Sequence, residues 1–219
     1  MTAVGFTIGG CWYRLQARER LVASIASLAY LSGQMGAPFL GMRVMHTSNL
    51  WTGRCEWLNR EIQDARARWS IAVDSDTSFD AHSLMASLPR MDSLGVAIGC
   101  APIRVGGTNS TCNLNLRVGD ETRGISDGRQ PSGEHRATAK ELRAVLEGDG
   151  EIASGGFGLA IFHLDWFREH WPKPVPEVIP NNWGEAFVGE DIAFCRSVRR
   201  RGGKILALPI NAEHHEFKP

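Results

Sequence analysis

Between residues 4 and 100, short β-prone apolar runs alternate with longer segments of helical periodicity, and this alternation constrains the fold more than any other feature. Val4-Gly5-Phe6-Thr7-Ile8 reads as a buried strand stopped by Gly9-Gly10. Arg18 to Ser32 follows, with Leu21, Ile25, Leu28 and Leu31 at helical spacing. Gly36-Ala37-Pro38 breaks that helix ahead of a second strand, Phe39 to Met45. Thr52 to Ala67 is expected to be a helix with Trp57, Ile62 and Ala65 toward the core. Trp69 to Val73 reads as a third strand, ending in Asp74-Ser75-Asp76. A short helix, Ala81 to Leu88, and a fourth strand, Leu94 to Cys100, continue the pattern. Such alternation predicts an α/β fold, a Rossmann-like, mostly parallel mixed sheet with helices on both faces. Sheets of this kind bind ligands at the carboxyl ends of their strands, where the Asp pair falls.

The second half reads differently. Cys112, Leu114, Leu116 and Val118 alternate as in a hairpin, and a polar loop runs from Gly119 to Arg136. Thr138 to Glu147 is expected to be a helix. Ile152 to Ser154, Gly155 to Gly158, and Leu159 to His163 read as strand, glycine loop, strand. Pro172 to Pro180 reads as a surface connection, Asp191 to Arg201 as a helix stopped by Gly202-Gly203, and Lys204 to Leu208 as a last strand. At 219 residues, a single domain is expected, its first 100 residues forming a nucleotide-binding half.

Composition narrows the function classes. The chain is 43% hydrophobic and 22% charged, which excludes disorder and coiled coil as the dominant state. Lys plus Arg and Asp plus Glu balance at 24 each, which argues against a protein built mainly to grip nucleic acid or anionic membrane. Five cysteines, 11, 55, 100, 112 and 195, are scattered and contain no CxxC pair, so reduced and mostly buried thiols in a cytoplasmic protein are expected. The first ten residues lack the pattern of a signal peptide, and no apolar run reaches 18 residues.

Four constellations carry possible chemistry. Asp74-Ser75-Asp76, two carboxylates at the end of an apolar strand, need a cation or donors, and Mg²⁺ or Mn²⁺ with a substrate phosphate would supply one. A turn with Asp80 capping the next helix is the plainer alternative. Glu190 and Asp191 open a helix, where a carboxylate either complements the dipole or takes a proton from an attacking hydroxyl. His214-His215 is either an exposed pair or a source of metal-binding imidazole. Gly155 and Gly156 allow a ligand to approach the backbone closely, or simply serve a turn. The basic run Arg196, Arg199, Arg200, Arg201 and Lys204 reads first as a solvated helix end and second as a phosphate or nucleic-acid patch. Trp166, Trp171 and Trp183 flank the proline-rich stretch, where they either stack on a sugar or base or pack in the core.

In this order and spacing the pieces resemble the GT-A class of nucleotide-sugar glycosyltransferases, most of all its small bacterial and phage-type members. WTGRCEWLNREIQDARARWSIAVDSDTSF, residues 51 to 79, resembles that family's helix-strand-DxD passage, and GEDIAFCRSVRRRGGKI, residues 189 to 205, its ED helix and following strand. The resemblance implies a GT-A-like domain spanning residues 1 to 219, with residues 101 to 219 on the acceptor side. It implies an NDP-sugar donor, UDP-linked by preference, and Mn²⁺ or Mg²⁺ held by Asp76, by Asp74 (or Asp74 on the ribose), and by His214 or His215. Asp191 would be the base of an inverting reaction with Glu190 beside it, Arg54 would lie near the nucleotide, and Thr7 and Gly9 near its base. The acceptor is left open among a polysaccharide, a protein and a modified base of phage DNA.

The sequence departs from the family in three places. The first strand ends in Thr-Ile-Gly-Gly rather than a proline-containing turn, Cys55 stands where many similar chains have Asn, and residues 119 to 136 have no counterpart. Asp74-Ser75-Asp76-Thr77 also resembles the nucleophile motif of haloacid-dehalogenase-type phosphatases, with Asp74 attacking phosphorus and Lys140 as the lysine. A binding module that keeps the site without turnover is the third reading.

Overall fold

The computed structural model describes residues 5–12, 17–46, 50–103, 111–117, 134–171 and 190–215. In chain order these form β1 (Gly5–Cys11), α1 (Glu19–Gln34), β2 (Phe39–Met45), α2 (Leu50–Gln63), β3 (Ala67–Val73), β4 (Thr77–Phe79), α3 (Ala81–Leu94) and β5 (Val96–Cys100). Then come β6 (Thr111–Arg117), β7 (Glu134–Thr138), α4 (Ala139–Glu147), β8 (Ser154–Gly155), β9 (Leu159–His163), α5 (Leu164–His170), α6 (Glu190–Arg200), β10 (Lys204–Ala207) and β11 (Ala212–His214). Six strands make the main sheet in the order β10-β5-β9-β3-β1-β2. β9 runs antiparallel to both its neighbours, while β1 with β2 and β3, and β5 with β10, pair in parallel. This is the mostly parallel mixed sheet that the alternation predicts.

Helices cover both faces. On one face α1 and α3 bring Leu21, Leu28, Leu84, Met85 and Met91 against Phe6, Ile8, Ile71 and Ile161. On the other, α2, α5 and α6 bring Trp57, Ile62, Phe167, Phe194 and Val198 against Ala72, Ala160 and Phe162. Small strand residues on this second face let α2 lie close. Gly9 is the extreme case: a Cβ there would stand 1.8 Å from the Arg43 carbonyl oxygen and 3.1 Å from Trp57 Nε1. Its glycine serves close packing inside a strand that runs on to Cys11, so Gly9-Gly10 does not stop β1 as the sequence suggests.

Other differences have local causes. Ala65 is exposed in a turn beyond α2, which already ends at Gln63. α3 continues through Pro89 to Leu94, because complete burial of Met91 in the next turn rewards continuation despite the missing N–H. Asp80 caps α3, its Oδ2 accepting from the Ser83 amide at 2.9 Å. Two strands of three residues, β4 and β11, and the two-turn helix α5 are too short to leave a periodic signal. β10 is therefore not the last strand.

β6, β7 and β8 form a separate three-stranded antiparallel sheet in the order β7-β6-β8. Cys112, Leu114 and Leu116 do lie on a strand, β6, but its partner β7 comes after the hairpin expected there, and residues 134 to 136, expected in the polar loop, belong to β7. The rest of that loop from residue 119, and Pro172 to Pro180, lie outside the described residues. β8 pairs with β6 and β9 with β3 and β5, so the two strands flanking Gly156-Phe157-Gly158 link the two sheets. All five cysteines are buried and none forms a disulfide. No helix among the described residues is long and apolar enough to cross a membrane.

Candidate active site

The chain leaves β3 at Val73, and Asp74 to Asp76 form the turn into β4. The Asp74 amide donates to the Gly158 carbonyl at 3.0 Å and the Thr77 amide to the Asp74 carbonyl at 3.1 Å, which fixes the turn. β4 pairs with β11 in antiparallel register, Thr77 opposite His214. That pairing sets His214 Nε2 3.1 Å from Asp76 Oδ2. His215 turns aside: its amide donates to the Asp76 carbonyl at 2.8 Å and its ring Nε2 lies 2.7 Å from Ser78 Oγ. Of the two histidines, His214 faces the carboxylate.

Arg54 reaches from α2 to Asp74, Nη2 to Oδ1 3.3 Å, and its guanidinium lies 5.7 Å from the centroid of the Phe157 ring. Asp74 sits at the floor of the cleft with 37% of its side chain exposed. Burial pushes its carboxyl above the usual carboxylate range; Arg54 opposes this and the Asp76 charge adds to it. Thr77 Oγ1 is fully buried and has no hydrogen-bond partner among the described residues, a spare donor next to the Asp74–Asp76 turn.

The Gly156–Gly158 turn runs between two carboxylates. A Cβ on Gly158 would stand 3.6 Å from Asp74 Oδ2, and one on Gly156 3.3 Å from Asp191 Oδ2. Asp191 lies in the first turn of α6, where its Oδ1 accepts from the Ile192 amide at 2.8 Å. Glu190 opens the same helix, and its side chain lies outside the described set. Beside Asp74 and Arg54 a pocket of about 400 Å³, part of it open to solvent, is walled by Cys11, Cys55, Trp57, Phe157, Phe162 and Phe194. Burial pushes the Cys11 thiol up to about 11, so it stands there as a neutral wall.

The turn after β3 therefore gathers Asp74, Asp76, Arg54 and His214, and the glycine turn leads from it to Asp191. Three expected site residues fall elsewhere. Thr7 is buried in the middle of β1, its hydroxyl donating to Glu61 and lying 2.9 Å from Ser70 Oγ, so it does not reach the cleft. Gly9 packs against Arg43 and Trp57. Gly155 is buried where a Cβ would collide with Cys100 at 2.7 Å and Leu114 at 2.9 Å, so its missing side chain serves the core. Gly158, which also flanks the site, carries the signal that a residue in a Gly-rich turn lies near a strand end. Trp166 and Trp171 pack in the core, and Trp183 lies outside the described residues. Lys140, which a phosphatase would need beside Asp74, is exposed on α4.

Among the described residues no three His, Cys, Asp or Glu side chains gather to enclose an ion by themselves. Asp76 and His214 nonetheless suit a small divalent cation. Ligands about 2.1 Å from an octahedral ion and at right angles stand about 3 Å apart, and such ions keep positions for phosphate oxygens.

No protein-family model matches the chain, and no curated protein matches it by sequence. Among solved structures, A197 from STIV aligns with a TM-score of 0.54 at 15% identity, over 96% of this chain and 86% of that one. GalNAc-T7, solved with UDP, GalNAc and Mn²⁺, aligns with a TM-score of 0.57 at 13% identity, over 97% of this chain and 44% of that one. The chain thus spans less than half the length of GalNAc-T7. At these identities the likeness is one of fold, and the architecture of this chain is GT-A-like.

Proposed function

We propose that the chain is a metal-dependent glycosyltransferase that moves a sugar from an NDP-sugar, UDP-linked by preference, to an acceptor hydroxyl or amine. One observation carries the reading: Asp76 and His214, from distant parts of the sequence, meet 3.1 Å apart beside the Asp74–Arg54 pair at the carboxyl end of β3. The GT-A-like fold, shared with a structure that holds UDP, GalNAc and Mn²⁺, supports it.

Asp76 and His214, with Asp74 alongside, would hold Mn²⁺ or Mg²⁺. When bound there, the ion supplies positive charge to the departing diphosphate. Arg54 orients Asp74 and adds a second positive group beside the phosphates. Asp191 accepts the acceptor's proton as the acceptor atom bonds to the anomeric carbon, and the bond to the diphosphate oxygen breaks with its electron pair on that oxygen. In this reading the reaction inverts the anomeric centre, Glu190 assists Asp191, and Gly156 lets the acceptor approach the backbone. Residues 1–219 act as one domain, 1–100 on the nucleotide side and 101–219 on the acceptor side. Buried cysteines with no disulfide among them support a reducing, cytoplasmic setting. The acceptor is a polysaccharide, a protein or a modified phage DNA base, and the neutral charge balance favours the first two.

Calorimetric titration with nucleoside diphosphates and NDP-sugars, each with and without Mn²⁺, tests this. Metal-dependent binding of one nucleotide, with release of its diphosphate on turnover, is the expected result. Binding without turnover in any acceptor screen would favour an inactive module. Absence of binding with metal present would overturn the reading.

A further inference from the structure

A buried charge cluster, remote from Asp74 and Asp76 in the sequence, ties the acceptor-side elements together. Glu134, at the start of β7, has 2% of its side chain exposed. Its Oε1 accepts from Arg196 Nε and from Arg199 Nη2, each at 2.9 Å, and its Oε2 accepts from Ser154 Oγ at 2.7 Å. Asn115 Nδ2 on β6 donates to the same Ser154 hydroxyl at 2.9 Å. Each strand of the three-stranded sheet and helix α6 therefore contribute to one network. Arg196 is 5% exposed and Arg199 is likewise largely enclosed, so the solvated basic face expected at residues 196 to 199 is instead an internal joint.

The network ends where the chemistry of the proposed function begins. α6 carries Asp191 five residues before Arg196, little more than one helical turn away, so a shift of the arginine anchor is a shift of the carboxylate. Ser154 leads through Gly155 to Gly156, whose α-carbon substituent would meet Asp191 Oδ2 at 3.3 Å. One carboxylate thus fixes both the helix bearing Asp191 and the strand feeding the turn beside it. The Glu134 carboxyl group also stands between two guanidinium groups that would otherwise face one another in the interior.

We propose that Glu134, through Arg196 and Ser154, is a positioning residue that sets the distance between Asp191 and the Gly156–Gly158 turn. The catalytic consequence rests on the function proposed above; the geometric claim does not. Misplacement by about 1 Å costs turnover on the order of 100-fold while leaving binding on other elements untouched.

Glu134→Gln and Arg196→Lys test it, the second keeping the charge but losing the planar contact, so that one variant remains informative if the other fails to fold. In either folded variant, amide hydrogen exchange should quicken together at residues 191–195 and 155–158 while β1 and β3 keep their protection. UDP affinity with Mn²⁺ should stay within about twofold, kcat for UDP release from UDP-hexoses or UDP-N-acetylhexosamines should fall about 10- to 100-fold, and the donor KM should barely move. Exchange that quickens without both 191–195 and 155–158 taking part, or unchanged kcat in variants when Asp191→Asn is inactive, would overturn the proposal and leave the glycosyltransferase reading standing. If the unmodified protein neither binds nor turns over any of these donors, that reading falls and the exchange pattern alone decides whether Glu134 sets the geometry.

Discussion

Asp76 and Asp191 are both carboxylates near a strand end or helix start, yet their surroundings differ, as do the roles proposed for them. Asp76 faces His214 at 3.1 Å, with 19% of its side chain exposed, in a turn whose backbone bonds do not depend on its charge. Asp76→Asn keeps the shape and removes the charge. The expected outcome is loss of Mn²⁺-dependent UDP binding by at least about 10- to 100-fold, with unfolding free energy moved by no more than about 1 kcal/mol. Asp191 stands on α6, on the far side of the glycine turn from Asp74. Asp191→Asn should leave UDP affinity within about twofold and lower transfer by about 10²- to 10⁴-fold, the range for a lost general base. Paired calorimetry and turnover assays on the two variants check this. Unchanged metal-dependent binding in the first would remove Asp76 from the metal site, and full activity in the second would remove Asp191 as the base.

At the scale of elements, the junction of β7 and α4 shows how a short helix is held and how it responds to acid. Thr138 and Glu141 form a capping box: the Thr138 amide and hydroxyl donate to Glu141 Oε2 at 2.9 and 2.8 Å, and the Glu141 amide donates to Thr138 Oγ1 at 3.3 Å. These bonds, with His135 at 2.9 Å, hold the Glu141 carboxyl at about 2 against an ordinary value of 4.5. A carboxyl with a depressed value in the folded state stabilises fully above 4.5 and loses that contribution as pH falls toward about 2. Protection factors of the α4 amides, taken relative to intrinsic exchange at each pH, should therefore fall on acidification across that interval, and those of Glu141→Gln should be low at neutral pH with little further change. An identical acid profile in both proteins would contradict the role of the box. The elements the sequence makes legible are those with length and period: β2 lies where expected, Phe39 to Met45, and α4 starts one residue after its expected Thr138. Three residues of β4 and three of β11 carry no period, so the pairing that selects His214 over His215 is invisible without the fold. Thr7 misleads because Gly9-Gly10 read as the end of the first strand, whereas β1 runs on to Cys11 and leaves Thr7 inside, paired with Glu61.

For the whole molecule, the charge balance and the location of the arginines decide which acceptors the surface suits. The chain carries 24 basic and 24 acidic side chains, so no net field draws a polyanion toward it. The one dense basic run, residues 196 to 204, reads in the sequence first as a solvated helix end and second as a phosphate or nucleic-acid patch. Arg196 and Arg199 are instead committed to Glu134, and Arg201 lies over the Trp171 ring at 4.3 Å from its centroid. Each phosphate contact adds about 0.9 to the slope of log K against log salt, and proteins built to hold duplex DNA through six to ten contacts show slopes of about 5 to 9. Duplex DNA titrated at several salt concentrations should bind this chain weakly, with a slope of about 2 or less. A slope of about 5 or more would mean that the basic surface outside residues 196 to 204 is organised along a phosphate backbone. That result would move the modified DNA base ahead of polysaccharide and protein as the acceptor. A shallow slope directs the acceptor search to neutral hydroxyl-rich or peptide substrates, which reach the cleft without electrostatic steering.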